Sequence, residues 1–232
     1  MHLSWFGFSA FKIETKGVVL VTDPFSPKLA AKPVRAKADI VTVSAPENPF
    51  HNYLGGIQGE PFHIDHPGEF EVKGIFIQGI SSGNRQQAVG SREPKKAGRR
   101  DAHPSSLISH LSTVFTFDIE GMRVAHLGDL REIPSSDVLE RMDGVDVLLV
   151  PVGGGKVTLD AEGAARIIND IEPRLVVPMH FATDGIAAEG KLASAAAFLR
   201  EMGASKVAPV DRLLLKKRDL PTEETRVVVF RP

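Results

Sequence analysis

The chain of 232 residues contains no cysteine. Disulfides are excluded, and so are thiolate metal ligands and a cysteine nucleophile. Any metal must be held by His, Asp, Glu, Asn or backbone oxygen. Net charge is also scarce: 28 Lys and Arg stand against 29 Asp and Glu, a formal charge of -1. The molecule as a whole has no electrostatic case for nucleic acid. No apolar run approaches the length that crosses a membrane. The start, Met1-His2-Leu3-Ser4-Trp5, lacks a basic region followed by an apolar one. The expectation is a cytoplasmic protein with no membrane contact. No Ser sits in a nucleophile elbow. Gly153-Gly154-Gly155-Lys156 lacks the spacing of a phosphate loop, though its amides could line a cleft.

What is present is apolar patterning: 42% of residues are hydrophobic, enough for a sizeable core. Gly and Pro are frequent enough to suggest many short strands and turns. Residues 2–6 and 10–15 flank Gly7-Phe8-Ser9 as a first hairpin. Val18-Val19-Leu20-Val21-Thr22 predicts a strand ending at Asp23-Pro24, and 39–43 predicts another. Residues 60 to 80 alternate as strands around the Pro67-Gly68 turn, and 113–119 pairs through Glu120-Gly121 with 122–127. A short helix fits near 135–142. Strand 146–150, an amphipathic helix at 160–171 and strand 175–178 have the spacing of a parallel βαβ unit. The helix stripe is Ala161, Ala164, Ala165, Ile168 and Ile171. A further helix is expected at 188–202, closed by Gly203. Short strands follow at 207–210, 212–215 and 226–230. No linker divides the chain, so residues 1–232 read as one domain with layers of sheet and helix.

Two stretches share one form. Val124-Ala125-His126-Leu127-Gly128-Asp129 is an apolar strand delivering an Asp, and Leu175-Val176-Val177-Pro178-Met179-His180 is one delivering a His. Together they suggest a site at one sheet edge. An Asp at a strand end also serves as a structural cap, and that reading stands beside the functional one. His126, inside its strand, reads as a core histidine more readily than as a ligand. His63-x-x-His66 is followed directly by Pro67 and lacks further ligands. Residues of about 81–110 are nearly free of apolar side chains and read as a long mobile loop. Arg92, Lys95, Lys96, Arg99 and Arg100 make it basic.

Five motifs in order resemble the metallo-β-lactamase fold. They are Trp5 to Phe11, Thr22-Asp23-Pro24, Ala38 to Ser44, His126 to Asp129, and Pro178-Met179-His180. Within it, the chain is similar to the small Zn-dependent hydrolase branch related to ascorbate-6-phosphate lactonase. The resemblance spans nearly the whole chain. It implies an α+β, four-layer αββα sandwich with metals at one edge. After Ser44 the family pattern is His-x-His-x-Asp-His. Read without a gap, this chain offers Ala45, Glu47, Pro49 and Phe50 instead. A shift of one residue brings His51 onto the pattern. Phe8 stands where relatives carry an early His, and His103 and His110 lie near another ligand position without its context. Asp129 and His180 match the bridging aspartate and the last ligand histidine.

Three readings follow. A degenerate family member would lack the two-metal hydrolase site and act in binding or regulation. A mononuclear hydrolase would use Asp129 and His180 with His51 or Glu47 as further ligands. One weakly bound divalent ion, zinc first, would then open ester, lactone or phosphoester hydrolysis. In that case Asp23 would orient a ligand. A binding module would take a small anionic molecule or nucleic acid through the basic loop, although few aromatic side chains are near for stacking. Strand 226–230 is a candidate edge for homo-oligomer formation.

Overall fold

The computed structural model describes residues 1–29, 34–48, 51–83, 112–183 and 192–231. The expected loop at about 81–110, with His103 and His110, lies outside the described residues from 84 onward.

The described strands, in chain order, begin with β1 (His2–Gly7), β2 (Ala10–Thr15), β3 (Val18–Thr22), β4 (Ala36–Lys37) and β5 (Ile40–Thr42). Next come β6 (Ile57–Gln58), β7 (Phe62–Ile64), β8 (Gly68–Val72), β9 (Ile75–Ser81) and β10 (Thr113–Ile119). The last five are β11 (Met122–His126), β12 (Val147–Pro151), β13 (Leu175–Met179), β14 (Leu213–Leu214) and β15 (Arg226–Val227). The α-helices among the described residues are α1 (Ser136–Glu140), α2 (Ala161–Ile171) and α3 (Ala196–Glu201). A six-stranded sheet runs β14-β1-β2-β3-β5-β7, and a seven-stranded sheet runs β15-β13-β12-β11-β10-β9-β8. This is the expected mixed architecture, the αββα sandwich.

The pattern of each strand follows its place. In β1, Leu3, Trp5 and Gly7 are buried while the residues between them are half-exposed. Every residue of β12 and β13 is buried, as central strands covered on both faces must be. One apolar cluster joins the facing sheets, running from Leu3, Trp5 and Phe11 to Phe115, Val124 and Leu148. The other face of the first sheet carries Val21, Val41 and Val43 beneath Phe25, Leu29 and Val34.

Helix α2 has the predicted ends. Asp160 caps it, accepting from the Gly163 amide at 2.8 Å, and Glu172 stops it in a left-handed turn. Its buried stripe is Gly163, Ala164, Ile167, Ile168 and Ile171, so Ile167 takes the place expected for Ala165. The helix crosses between β12 and β13, which pair in parallel. Helix α3 is shorter than the expected 188–202. Residues 184–191 lie outside the described part, and helix begins only at Ala196. The reason is visible at Ala193. Its amide donates to the Gly153 carbonyl at 2.7 Å and its carbonyl accepts from Ala182 at 2.9 Å. A residue holding two long-range backbone bonds cannot also serve a helical ladder. The strand expected at 226–230 is regular only over β15. Beyond it, Val228 donates to Val176 and Val210 bridges Phe230. The expected 207–210 and 212–215 strands reduce to that bridge and β14.

Candidate metal centre

Strands β3 and β5 pair in parallel, as do β11, β12 and β13. Their carboxyl ends deliver Asp23, Ser44, Asp129 and His180. The β1–β2 turn adds Phe8 and Ser9. Three non-glycine residues here hold a left-handed backbone: Phe8 (φ 46), Asp23 (φ 40) and His180 (φ 51). Such conformations are costly and persist where surrounding structure enforces them. The enforcement at His180 includes its amide, which donates to the Phe8 carbonyl at 2.9 Å. Gly128 (φ 58) has no alternative. A Cβ there would fall 2.2 Å from the Ser44 Cβ.

His51, Asp129 and His180 converge. Their ligand atoms all lie within 4.8 Å of one another, and all three residues are buried. The His51 Nε2 is 3.9 Å from Asp129 Oδ1, and the His180 Nδ1 is 4.0 Å from the same oxygen. Among the described residues this is a reduced triad, not a two-metal site. His51 reaches it because Asn48 and His51 close successive turns, with amides bonded to Ala45 and Asn48 carbonyls. Those turns leave Glu47 exposed and outside the cluster. His63 and His66 are exposed and also stand apart.

Hydrogen bonds hold His180 and Asp129, while His51 lies between two carboxyl groups without one. The Ser9 hydroxyl donates to the Gly128 carbonyl at 3.1 Å, so toward the His180 Nδ1, at 3.2 Å, it acts as acceptor. That places the proton on Nδ1 and leaves Nε2 with its lone pair. Asp23 takes the Ser44 amide and hydroxyl, each at 2.6 Å, and its Oδ2 faces His51 Nδ1 at 3.9 Å. The Asp129 amide donates to Ser44 Oγ at 3.1 Å. Asp129 Oδ2 accepts from Arg131 at 3.0 Å and from Asn48 at 3.2 Å. Arg131 and Asn48 escaped the sequence reading. The Asp129-x-Arg131 spacing on one loop was the signal for the first.

Burial sets the charge states. It pushes both triad histidines below their ordinary range, His180 well below, and the nearby Arg131 charge adds to this. For His51 the Asp129 carboxylate acts in the opposite direction. Burial also raises Asp23 to about 8, against the lowering effect of its bonds from Ser44. His126 is a core histidine, lowered to about 4 by burial, and its Nε2 donates to the Ser9 carbonyl at 2.8 Å.

The donor set fits a divalent cation. Both His51 nitrogens, Asp129 Oδ1 and His180 Nε2 are buried without a hydrogen-bond partner. Leaving such atoms unsatisfied costs about 1–3 kcal/mol each. Two neutral imidazoles and a carboxylate are suitable zinc ligands, and three protein ligands leave one position open. The triad can therefore coordinate a single divalent metal. Arg131, which bonds to Asp129, also lines a cleft of about 450 Å³ with Glu132, Gly154, Gly155, Lys156 and Glu162 among others. Among the described residues no helix is long and apolar enough to cross a membrane.

Comparison with known families matches residues 2–180 to the Beta-lactamase superfamily domain. The UPF0173 protein of Pyrococcus furiosus is 32% identical, over 79% of this chain and 84% of its own length. The UPF0173 protein of Pyrococcus abyssi is 30% identical, over 80% of this chain and 85% of its own. Among solved structures, one from Thermotoga maritima has a TM-score of 0.74 at 28% identity. It covers 99% of this chain and 97% of its own, and its name proposes a Zn-dependent hydrolase of the metallo-beta-lactamase superfamily.

Proposed function

The chain belongs to the beta-lactamase superfamily, in its UPF0173 branch, and on that premise we propose that it is a single-metal hydrolase. His51, Asp129 and His180 hold one zinc ion, and the substrate is an ester, lactone or phosphoester. The observation that carries this reading is the convergence of three buried ligand groups with unsatisfied atoms. A divalent metal bound there would supply Lewis-acid chemistry, polarising a carbonyl or phosphoryl oxygen and acidifying water. Ser9 holds His180 in the tautomer that offers Nε2. Asp23 faces the Nδ1 side of His51 at 3.9 Å, and would accept its Nδ1–H on a slightly closer approach. Arg131 and Asn48 hold Asp129 so that Oδ1 faces both histidines. The name of the Thermotoga maritima relative supports zinc and hydrolysis. Likeness to the ascorbate-6-phosphate lactonase branch rests on the motifs from Trp5 to His180. Residues 1–232 act as one domain in this reading, since a single apolar cluster runs from Met1 to Phe230.

A second reading, binding or regulation without hydrolysis, is favoured by the depth of the triad. His51 is 1% exposed and His180 is 0% exposed, which restricts access. Metal analysis of untagged protein, followed by turnover assays on ester, lactone and phosphoester substrates, separates the two. About one zinc per chain, lost in His180→Ala, with turnover lost alongside it, supports the hydrolase. Bound zinc without turnover favours the second reading, and no zinc uptake at micromolar levels overturns both the metal site and the hydrolase.

A further inference from the structure

The two oxygens of Asp129 face different things. Oδ1 is turned to the histidines and has no hydrogen-bond partner. Oδ2 accepts from the Arg131 guanidinium at 3.0 Å and from Asn48 at 3.2 Å. In sites that hold two metals, a pair of cations acts together on the attacking and leaving oxygens. Here the second place beside Asp129 is taken by a side chain that is always charged. We propose that Arg131 stands in for the second cation, so that the centre is built for one divalent metal and one guanidinium, and takes a substrate whose reacting end is anionic.

The surroundings agree with this. Among the described residues one cluster of three metal-ligand groups is found, enough for one ion. Arg131 is not sealed in. Its side chain is 27% exposed and lines a cleft with Gly154, Gly155 and Lys156, where Glu132, Asp160 and Glu162 also stand. One terminal nitrogen of the guanidinium is spent on Asp129, at 3.0 Å, and the side chain is partly open to solvent. The charges matter as well. Asp129 and Arg131 cancel, and neutral histidines add nothing. A divalent ion would therefore bring its full double charge to the centre, whereas the triad alone would remove half of it. An anionic oxygen brought to the exposed side of Arg131 would meet a planar donor fork suited to it, next to this charge. Arg166 contributes less, since it is paired with Glu162 at 2.5 Å. Arg131 is thus the fixed cation beside Asp129 and a binding residue for the substrate anion.

This rests on the single-metal reading above, and one experiment separates the two. Zinc affinity is measured by competition with a chromophoric chelator for the wild type, Arg131→Ala, Arg131→Gln and Arg131→Lys. Inorganic phosphate is then titrated onto each zinc-loaded protein. The Gln variant keeps a donor for Asp129 and guards against a folding failure of the Ala variant. Removing the charge is expected to tighten zinc by roughly tenfold or more, because the nearby cation no longer opposes the ion. The same variants should bind phosphate about tenfold more weakly. Arg131→Lys should resemble the wild type in zinc affinity. If Arg131 only braces Asp129, Ala will loosen zinc and Gln, which keeps a donor, will not tighten it, and the proposal is overturned while the single-metal site survives. A second tightly held zinc in the wild type, or phosphate affinity indifferent to Arg131, also overturns it. No zinc uptake by any form overturns this proposal and the metal site together.

Discussion

Ser44 meets Asp23 twice, its amide on Oδ1 and its hydroxyl on Oδ2, each at 2.6 Å. The same hydroxyl accepts the Asp129 amide at 3.1 Å. One small side chain therefore ties the end of β5 to the end of β3 and to the loop after β11. Because β3 and β5 belong to one sheet and β11 to the other, Ser44 sets how the two sheet edges meet at the triad.

Ser44→Ala leaves a buried Asp129 amide and Asp23 Oδ2 without their partner. The expected cost is about 1–3 kcal/mol of stability. Zinc affinity should fall about 10–100-fold, the usual effect of losing a group that orients a ligand. Urea unfolding and chelator competition measure both. Unchanged zinc affinity would show that Asp129 holds its place without Ser44.

Gly128 tests the same junction from the other side. An added Cβ would meet Ser44 at 2.2 Å and would sit on a backbone at φ 58. Gly144 (φ 73) supplies the control, since a Cβ there meets nothing within 4 Å. Gly144→Ala should cost about 1 kcal/mol, the left-handed backbone alone. Gly128→Ala should cost several times more and lower Tm by roughly 2–4 °C per kcal/mol. Equal Tm losses in the two variants would mean that the loop gives way without strain.

Much of this was legible in the chain. The strand ends at Asp129 and His180 follow from apolar runs that stop at Gly128 and after Pro178, and the βαβ unit follows from spacing. His51 and Glu47 were harder to separate. Both lie in a proline-interrupted loop, and periodicity does not say which side chain turns inward there. The successive turns at Ala45, Asn48 and His51 decide it. Helix α3 was overestimated because the apolar phase of Leu192, Ala195, Ala196 and Leu199 is helical. The backbone of Ala193 nevertheless bonds to Gly153 and Ala182. Long-range backbone pairing leaves no mark in local pattern.

That distinction gives a direct comparison. His51→Ala removes one of three ligands and should abolish tight zinc binding. Glu47→Ala changes an exposed side chain outside the cluster and should leave zinc affinity within about twofold, in line with the small effects of surface changes. Isothermal titration with zinc reads both. A matching loss in Glu47→Ala would place that carboxylate in the centre after all.

The buried titratable groups predict a pH dependence that can be assigned to one residue. Asp23 is raised to about 8, chiefly by burial. A group raised in the folded state contributes stability that is fully present below its unfolded value. That stability is lost as pH rises through the folded one. His126 is lowered to about 4 by burial. Its contribution is present above its unfolded value of 6.5 and is lost as pH falls through about 4. His51 and His180, also lowered, behave in the same way as His126. Between about pH 4 and 6.5 the aspartate and the histidines therefore oppose each other. From about pH 6.5 to 8 only Asp23 still changes among these groups. With chelator present, so that metal linkage does not contribute, wild-type stability should fall there by about 1.4 kcal/mol per pH unit. Asp23→Asn carries no titrating carboxyl and should be nearly flat over that interval, as read from urea midpoints at several pH values. Parallel slopes in the two proteins would mean that Asp23 is already ionised in the fold. His51 would then lie against a carboxylate anion, not a carboxylic acid.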